Sequence, residues 1–224
     1  MKDEYFSSLL IAIIGDIKES KKLDSVKRGE YQRKLKEVLD QINNKYKDEI
    51  QSNFIITLGD EFQGVLNSAT HLFDIVELIQ FEMDPILIRF GLGIGKIFTD
   101  INRLASIGAD GPAYHRARNC ISIMKESRDD VQNLYLETAD PIKDFEINSH
   151  LYWVCNNFNN WTQLQRNIIK YKETNPSITQ TEIASILKIN QSLVSRSLKS
   201  SRYDNFVKSK ISISQILENI LKER

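Results

Sequence analysis

Three features of the 224-residue chain predict an α+β fold followed by a small all-α unit. Short apolar runs of strand character alternate with amphipathic helical stretches from Leu9 to Glu137. One of those runs carries glycines at alternate positions, Gly91, Gly93 and Gly95. The charge is also split, because residues 1–161 hold 19 Lys/Arg against 25 Asp/Glu while residues 162–210 hold 9 against 3. The formal net charge of zero thus hides an acidic part followed by a basic one, and the basic part is the candidate for a polyanionic partner. The expected division is residues 1–155 and 156–224, with the Asn-rich stretch 156–160 as a candidate hinge.

Taken in order, Leu9 to Ile14 is a continuous β-branched and Leu run, as in a strand covered on both faces, and Gly15-Asp16 breaks it. From Val26 to Tyr46 the apolar residues Leu35, Val38, Leu39, Ile42 and Tyr46 fall at helical spacing. Phe54–Leu58 and Phe62–Leu66 are short strands around Gly59-Asp60-Glu61, a hairpin signal. A helix is expected from Ser68, as N-cap, to Phe81, ended by Asp84-Pro85. Ile86 to Phe98 reads as a strand whose three glycines share one face, which calls for close approach of a helix or a ligand. A helix over Ala113–Lys125 and a strand over Asn133–Glu137 follow. The order β-α-β-β-α-β is that of a split βαβ, ferredoxin-like domain, in which the first strand lies beside the central hairpin.

Composition excludes several classes. With 41% hydrophobic and 27% charged residues, neither a disordered nor a fibrous chain is favoured. No apolar stretch approaches the ~20 residues needed to span a bilayer. The amino-terminal run lacks a small-residue cleavage site and reads as a first strand, so a cytoplasmic location and no membrane partner are expected. Cys120 and Cys155 make no CxxC pattern, which supports neither a disulfide framework nor a zinc site.

If the first strand and the hairpin are neighbours, Asp16 and Asp60 converge. Two close carboxylates repel unless a cation sits between them, and magnesium takes one or two carboxylates with water and phosphate oxygens. Asp16 and Asp60 are therefore candidate metal ligands for Mg²⁺ or Mn²⁺, against the alternative that each simply caps local backbone N–H groups. Glu61 is a candidate ligand-binding neighbour or a solvated turn residue. Lys18 and Arg89 are candidates for neutralising phosphates, or ordinary surface charges. Arg116 and Arg118, near a helix start, are further phosphate candidates. His115 has no His/Cys/Glu cluster around it to complete a transition-metal site.

The segments Ile14-Gly15-Asp16-Ile17 and Leu58-Gly59-Asp60-Glu61-Phe62 resemble the metal-binding pair of nucleotidyl cyclase palms, both class III cyclases and GGDEF diguanylate cyclases. Asp110-Gly111-Pro112-Ala113-Tyr114-His115-Arg116-Ala117-Arg118 looks like the helix start that carries the transition-state Asn and Arg of class III enzymes. That resemblance implies a nucleotide-cyclase-type palm, catalytic roles for Asp16, Asp60 and Arg118 if the protein is an enzyme, and a homodimer. The whole run from Asp16 through the DGPAYHRAR segment resembles the SatD family, which pairs such a palm with a helical carboxyl-terminal region; no defined reaction comes with that resemblance. There are departures from the cyclase pattern. Leu58 replaces the first glycine of GGDEF, His115 falls at the Asn position, and Arg116 and Arg118 straddle the arginine position.

Beyond Trp161, helices are expected over Leu164–Lys172, Thr179–Lys188 and Gln191–Ser200. Ala184 provides a small residue for a close helix crossing, Ile189 plugs the turn, and Val194 and Leu198 bury the last helix. The pattern resembles the helix-turn-helix of bacterial transcription regulators in its TxxEIAxxL…VSRxL form, with Lys188 where glycine is frequent. A helix in the major groove needs small polar or bidentate side chains near its start and cations around them. Gln191, Ser192, Ser195, Arg196 and Lys199 provide both, and Lys188, Arg202, Lys208 and Lys210 are candidates for phosphate contacts. The alternative is a helical packing module. Ile213, Ile216, Leu217, Ile220 and Leu221 form a further apolar stripe, able to dimerise or to fold back.

Three functions remain in view at this level. One is a DNA-binding regulator whose palm senses a nucleotide or phosphate ligand with Mg²⁺. Another is a nucleotidyl cyclase or related metal-dependent phosphoryl-transfer enzyme with a regulatory helix-turn-helix. The third is an interaction scaffold with an inactive palm.

Overall fold

The computed structural model describes residues 8–20, 24–128 and 131–223. Its centre is a five-stranded sheet in the order β2-β3-β1-β4-β5, built from β1 (Leu10–Ile17), β2 (Ile50–Leu58), β3 (Glu61–Leu66), β4 (Ile88–Gly95) and β5 (Leu134–Glu137). The first four strands pair antiparallel as the split βαβ order requires, and β5 joins β4 in parallel. A parallel neighbour needs a crossover, and α3 (Pro112–Glu126) provides it.

Strand β1 is buried along its whole length because both faces are covered. Its odd residues Ile11, Ile13 and Ile17 join the core beneath α1 (Ser25–Lys45) and α2 (Leu72–Met83). Its even residues Leu10, Ala12 and Ile14 join a second core beneath α3. Helix α1 starts at Asp24, whose side chain accepts the Lys27 N–H, and it buries Leu35, Val38, Leu39 and Ile42. The α3 face of β4 is the glycine row, and the partner that the row admits is the helix itself. A Cβ at Gly93 would lie 2.0 Å from the Ala113 carbonyl oxygen, and one at Gly91 would lie 2.2 Å from that of Ala117. Bare glycine therefore lets α3 sit backbone-close on the sheet.

Some local expectations shift. Helix α2 begins at Leu72 rather than at Ser68, and the N-cap residue His71 makes no side-chain cap bond. Ser68 instead accepts the Thr70 N–H and donates to Glu218 Oε1, which also takes the Ala69 N–H. The carboxylate over this helix entrance thus comes from the far end of the chain. A helix that the apolar spacing does not announce, α4 (Pro141–Asn159), follows β5. Asp140 caps it, and its Asn148 bonds both the N–H and the carbonyl of Leu136. Residues 156–159, expected as a hinge, form its last turn, with Asn160 as C-cap.

The chain ends in α5 (Gln163–Thr174), α6 (Gln180–Leu187), α7 (Gln191–Ser200) and α8 (Tyr203–Lys222). Ile168, Ile178, Ile183, Ala184 and Val194 make a small core for α5 to α7, with Ile189 and Leu198 against it. Reciprocal capping boxes start α5 and α6, and Lys188 ends α6 in the left-handed conformation (φ 55°). Helix α8 folds back, because Phe206, Ile213, Leu217 and Ile220 belong to the same core as β1, α1 and α2. Trp161 ties the joint together, stacking edge-on against Phe206 at 4.7 Å and donating its ring N–H to the Ser201 carbonyl.

Candidate active site

The carboxyl end of β1 gathers the charged residues. Asp16 stands opposite Glu61 of β3 on one side and Arg89 of β4 on the other, and strand alternation points all three toward α3. Asp16 is 5% exposed. Its Oδ2 accepts from Arg89 Nη1 at 3.2 Å and its Oδ1 from Lys125 Nζ at 2.7 Å. Glu61 is buried and ion-paired with Arg118, so it is not a solvated turn residue. Arg118 and Lys125 lie two turns apart on one flank of α3, where the glycine row has drawn that helix onto the sheet.

Asp60 occupies the hairpin turn after Gly59, which has φ 58°. Its carbonyl accepts the Ile17 N–H at 3.1 Å, one step beyond the Asp16/Glu61 pair. Its side chain accepts from the Ser20 hydroxyl in the loop after β1. The two aspartates sit at one sheet end, Asp16 in the ladder opposite Glu61 and Asp60 in the adjoining hairpin turn.

Among the described residues no group of three His, Cys, Asp or Glu side chains gathers around one point. Asp16 and Asp60 offer two carboxylates, which suits a hard cation that keeps most of its water or takes phosphate oxygens. The donor set fits Mg²⁺ or Mn²⁺ better than a closed transition-metal cage.

The other expected ligands are spread more widely. Lys18 is half-buried and continues the ladder through its N–H to the Leu87 carbonyl. Arg116 donates to the Ile94 carbonyl at 2.5 Å, so it is tied to the rim of β4 instead of joining Asp16. Both arginines lie past the first turn of α3, away from its orphan N–H groups. His115 pairs with Asp110 at 3.0 Å on the surface. Lys125 escaped the sequence reading, although its spacing of seven from Arg118 places both on one helical flank.

In the carboxyl-terminal helices, Lys188, Gln191, Ser192, Ser195, Arg196, Lys199 and Arg202 are all exposed on or beside α7. Lys210, expected as a phosphate contact, is buried instead. Its ammonium sits 2.6 Å from Glu77 of α2 and 3.0 Å from Glu173 of α5. Burial pushes the Glu77 carboxyl up to about 8, against the attraction of Lys210.

The model of the SatD family matches residues 10–217, and the chain belongs to that family. No curated protein matches. Among solved structures, a bacterial light-regulated adenylyl cyclase is similar at 13% identity over 69% of this chain and 81% of its own, with a TM-score of 0.45. The catalytic core of a rhodopsin-guanylyl cyclase is similar at 19% identity over 50% and 70%, with a TM-score of 0.36. A guanylyl cyclase domain from the aquatic fungus Blastocladiella emersonii is similar at 17% identity over 50% and 72%, with a TM-score of 0.38.

Proposed function

We propose that the palm binds a nucleoside triphosphate or a related phosphate ligand together with Mg²⁺ or Mn²⁺, and acts as a nucleotidyl-cyclase-like or related phosphoryl-transfer site. The observation that carries this reading is the charge array at the β1 end. Asp16 and Glu61 pair across the ladder and Asp60 adjoins them in the hairpin turn, with Arg89, Lys125 and Arg118 converging on Asp16 and Glu61. A metal held by Asp16 and Asp60 would polarise a phosphoryl oxygen and offset its charge. Arg118, half-exposed on its flank of α3, would meet the developing negative charge, and Arg89 would hold Asp16 in place. Lys18 lies at the same strand end and is a further phosphate candidate. A homodimer is the expected form, as the cyclase resemblance implies.

The test is incubation with each nucleoside triphosphate and Mg²⁺ or Mn²⁺, with Asp60→Asn as control. Product that the substitution abolishes supports the enzyme. A nucleotide-dependent rise in melting temperature with no turnover would leave a ligand sensor.

A second reading concerns the carboxyl-terminal helices, where eight of the nine expected contact residues are exposed, Lys210 being the buried exception, which favours a DNA-binding helix-turn-helix. In it, Gln191, Ser192, Ser195 and Arg196 would face base edges, while Lys188, Lys199 and Arg202 flank them as cations. Fluorescence anisotropy should show binding that weakens with salt and is lost in Arg196→Ala. Binding indifferent to both would remove the regulator reading and leave a packing module.

A further inference from the structure

Of the two cations on Asp16, one is built in and the other is poised to leave. Arg89 lies opposite Asp16 in the strand register, its side chain is 16% exposed, and its Nη1 donates to Asp16 Oδ2 at 3.2 Å. Lys125 comes from the last turn of α3, its side chain is 47% exposed, and it reaches Asp16 Oδ1 with one flexible ammonium at 2.7 Å. A lysine ammonium on a four-carbon stem is a mobile point charge, whereas an arginine fork is held by its geometry.

A metal on Asp16 Oδ1 would repel the Lys125 ammonium that contacts the same oxygen at 2.7 Å, so the two cations compete for it. The Asp16 side chain is 7% exposed, whereas Lys125, which contacts its Oδ1, is 47% exposed at the rim.

We infer that Lys125 is an exchangeable counter-ion, which holds Asp16 in the metal-free protein, yields to the entering divalent cation and then turns its ammonium to the phosphates of the ligand. The inference rests on Asp16 being a metal ligand, and it adds an order to binding. Metal alone competes with Lys125, while metal and phosphate together do not, so each makes the other's binding more favourable. Lys125 here positions and neutralises charge, and no bond-making step is assigned to it.

The experiment titrates Mn²⁺ into the full-length protein, with and without inorganic tripolyphosphate, and follows free Mn²⁺ by electron paramagnetic resonance. Wild type is compared with Lys125→Met, Lys125→Arg and Asp16→Asn, and melting temperatures confirm folding. Lys125→Met should bind Mn²⁺ alone about fivefold more tightly, the scale of an exposed ion pair. It should bind tripolyphosphate more weakly once Mn²⁺ is saturating. Lys125→Arg should return both toward wild type. Opposite signs in the two titrations are the signature, since a merely structural lysine would move them together. If Lys125→Met and wild type bind Mn²⁺ equally, with Asp16→Asn abolishing it, the exchange is overturned while the metal site stands. If Asp16→Asn changes nothing, or no variant binds Mn²⁺, the metal reading of Asp16 falls and the exchange falls with it.

Discussion

Two clusters of paired charges sit in this molecule, and they are built for different ends. At the β1 end, Asp16 and Glu61 are buried, but two of the cations that meet them are about half-exposed: Arg118 at 50% and Lys125 at 47%. Between α2, α5 and α8, Glu77 and Lys210 are each 7% exposed in their side chains and Glu173 is 16% exposed. The inner cluster is closed on itself, and its members come from elements far apart in sequence. The strand-end cluster has a fixed acidic floor and a movable basic rim. A buried ion pair contributes little net stability while intact but is costly to break, whereas exposed pairs exchange partners at little cost. The contrast assigns the inner cluster to docking of α8 and leaves the rim open to a ligand.

The largest effect should follow Lys210→Met, which strands Glu77 and Glu173 without their cation. A loss of about 3–5 kcal/mol in urea unfolding is expected from breaking one side of a buried pair. Its pH dependence has a definite sign. A carboxyl whose pKa is raised on folding, as Glu77 is from 4.5 to about 8 by burial, contributes stability that is whole below 4.5 and lost as pH rises through 8. Removing Lys210 takes away the attraction that opposes this rise, so the defect should be greatest in alkali and shrink toward pH 5. Glu77→Gln should flatten the profile. A Lys210→Met protein as stable as wild type at pH 8.5 would show that the inner cluster does not hold α8.

Gly93→Val ranks next and separates the clusters by geometry. Its first side-chain atom alone would stand 2.0 Å from the Ala113 carbonyl oxygen, so α3 must lift from the sheet. Overpacking of this kind costs about 1–3 kcal/mol. The lifted helix would carry Arg118 and Lys125 away from Glu61 and Asp16 while leaving Lys210 with Glu77. Nucleotide binding, read by thermal shift with Mg²⁺, should fall by more than the lost stability explains. Unchanged binding would place the ligand elsewhere.

Legibility from sequence followed the same divide between local and distant causes. The strands of the palm announced themselves through continuous or alternating apolar residues, and the glycine row declared a close approach whose partner proved to be α3. The packing of α6 and α7 could be read because Ala184, Ile189 and Val194 act within twenty residues of one another. Helix α4 was missed because its Asn-rich end imitates a linker, and its buried face mixes Asn148 with Leu151, Val154 and Phe158. Its start was signalled by Asp140-Pro141, a cap residue followed by proline at the first helical position. Lys210 looked like one more cation of a basic segment, since nothing near it in sequence reveals Glu77, 133 residues away. That Asp16 and Asp60 lie at one sheet end was legible, but the partner across from Asp16 was not, because register alone decides that it opposes Glu61.

The smallest effect on stability should come from Arg118→Gln, and it is the sharpest test of the contrast between the clusters. Arg118 is half-exposed, so its pair with Glu61 is screened by water and its loss should cost at most about 1 kcal/mol. Glu61, however, is buried and loses the cation it faces, so the local potential becomes more negative where phosphates would bind. The expected result is a near-normal melting temperature with phosphate affinity lowered at least tenfold, and with a shallower dependence of that affinity on salt. Lys125→Met shares the weaker phosphate binding but should tighten Mn²⁺ alone, whereas Arg118→Gln should leave Mn²⁺ on Asp16 nearly unchanged because Arg118 pairs with Glu61. Should Arg118→Gln instead destabilise the fold as much as Lys210→Met, the rim would be a structural clamp like the inner cluster. The basis for placing a ligand there would then be gone.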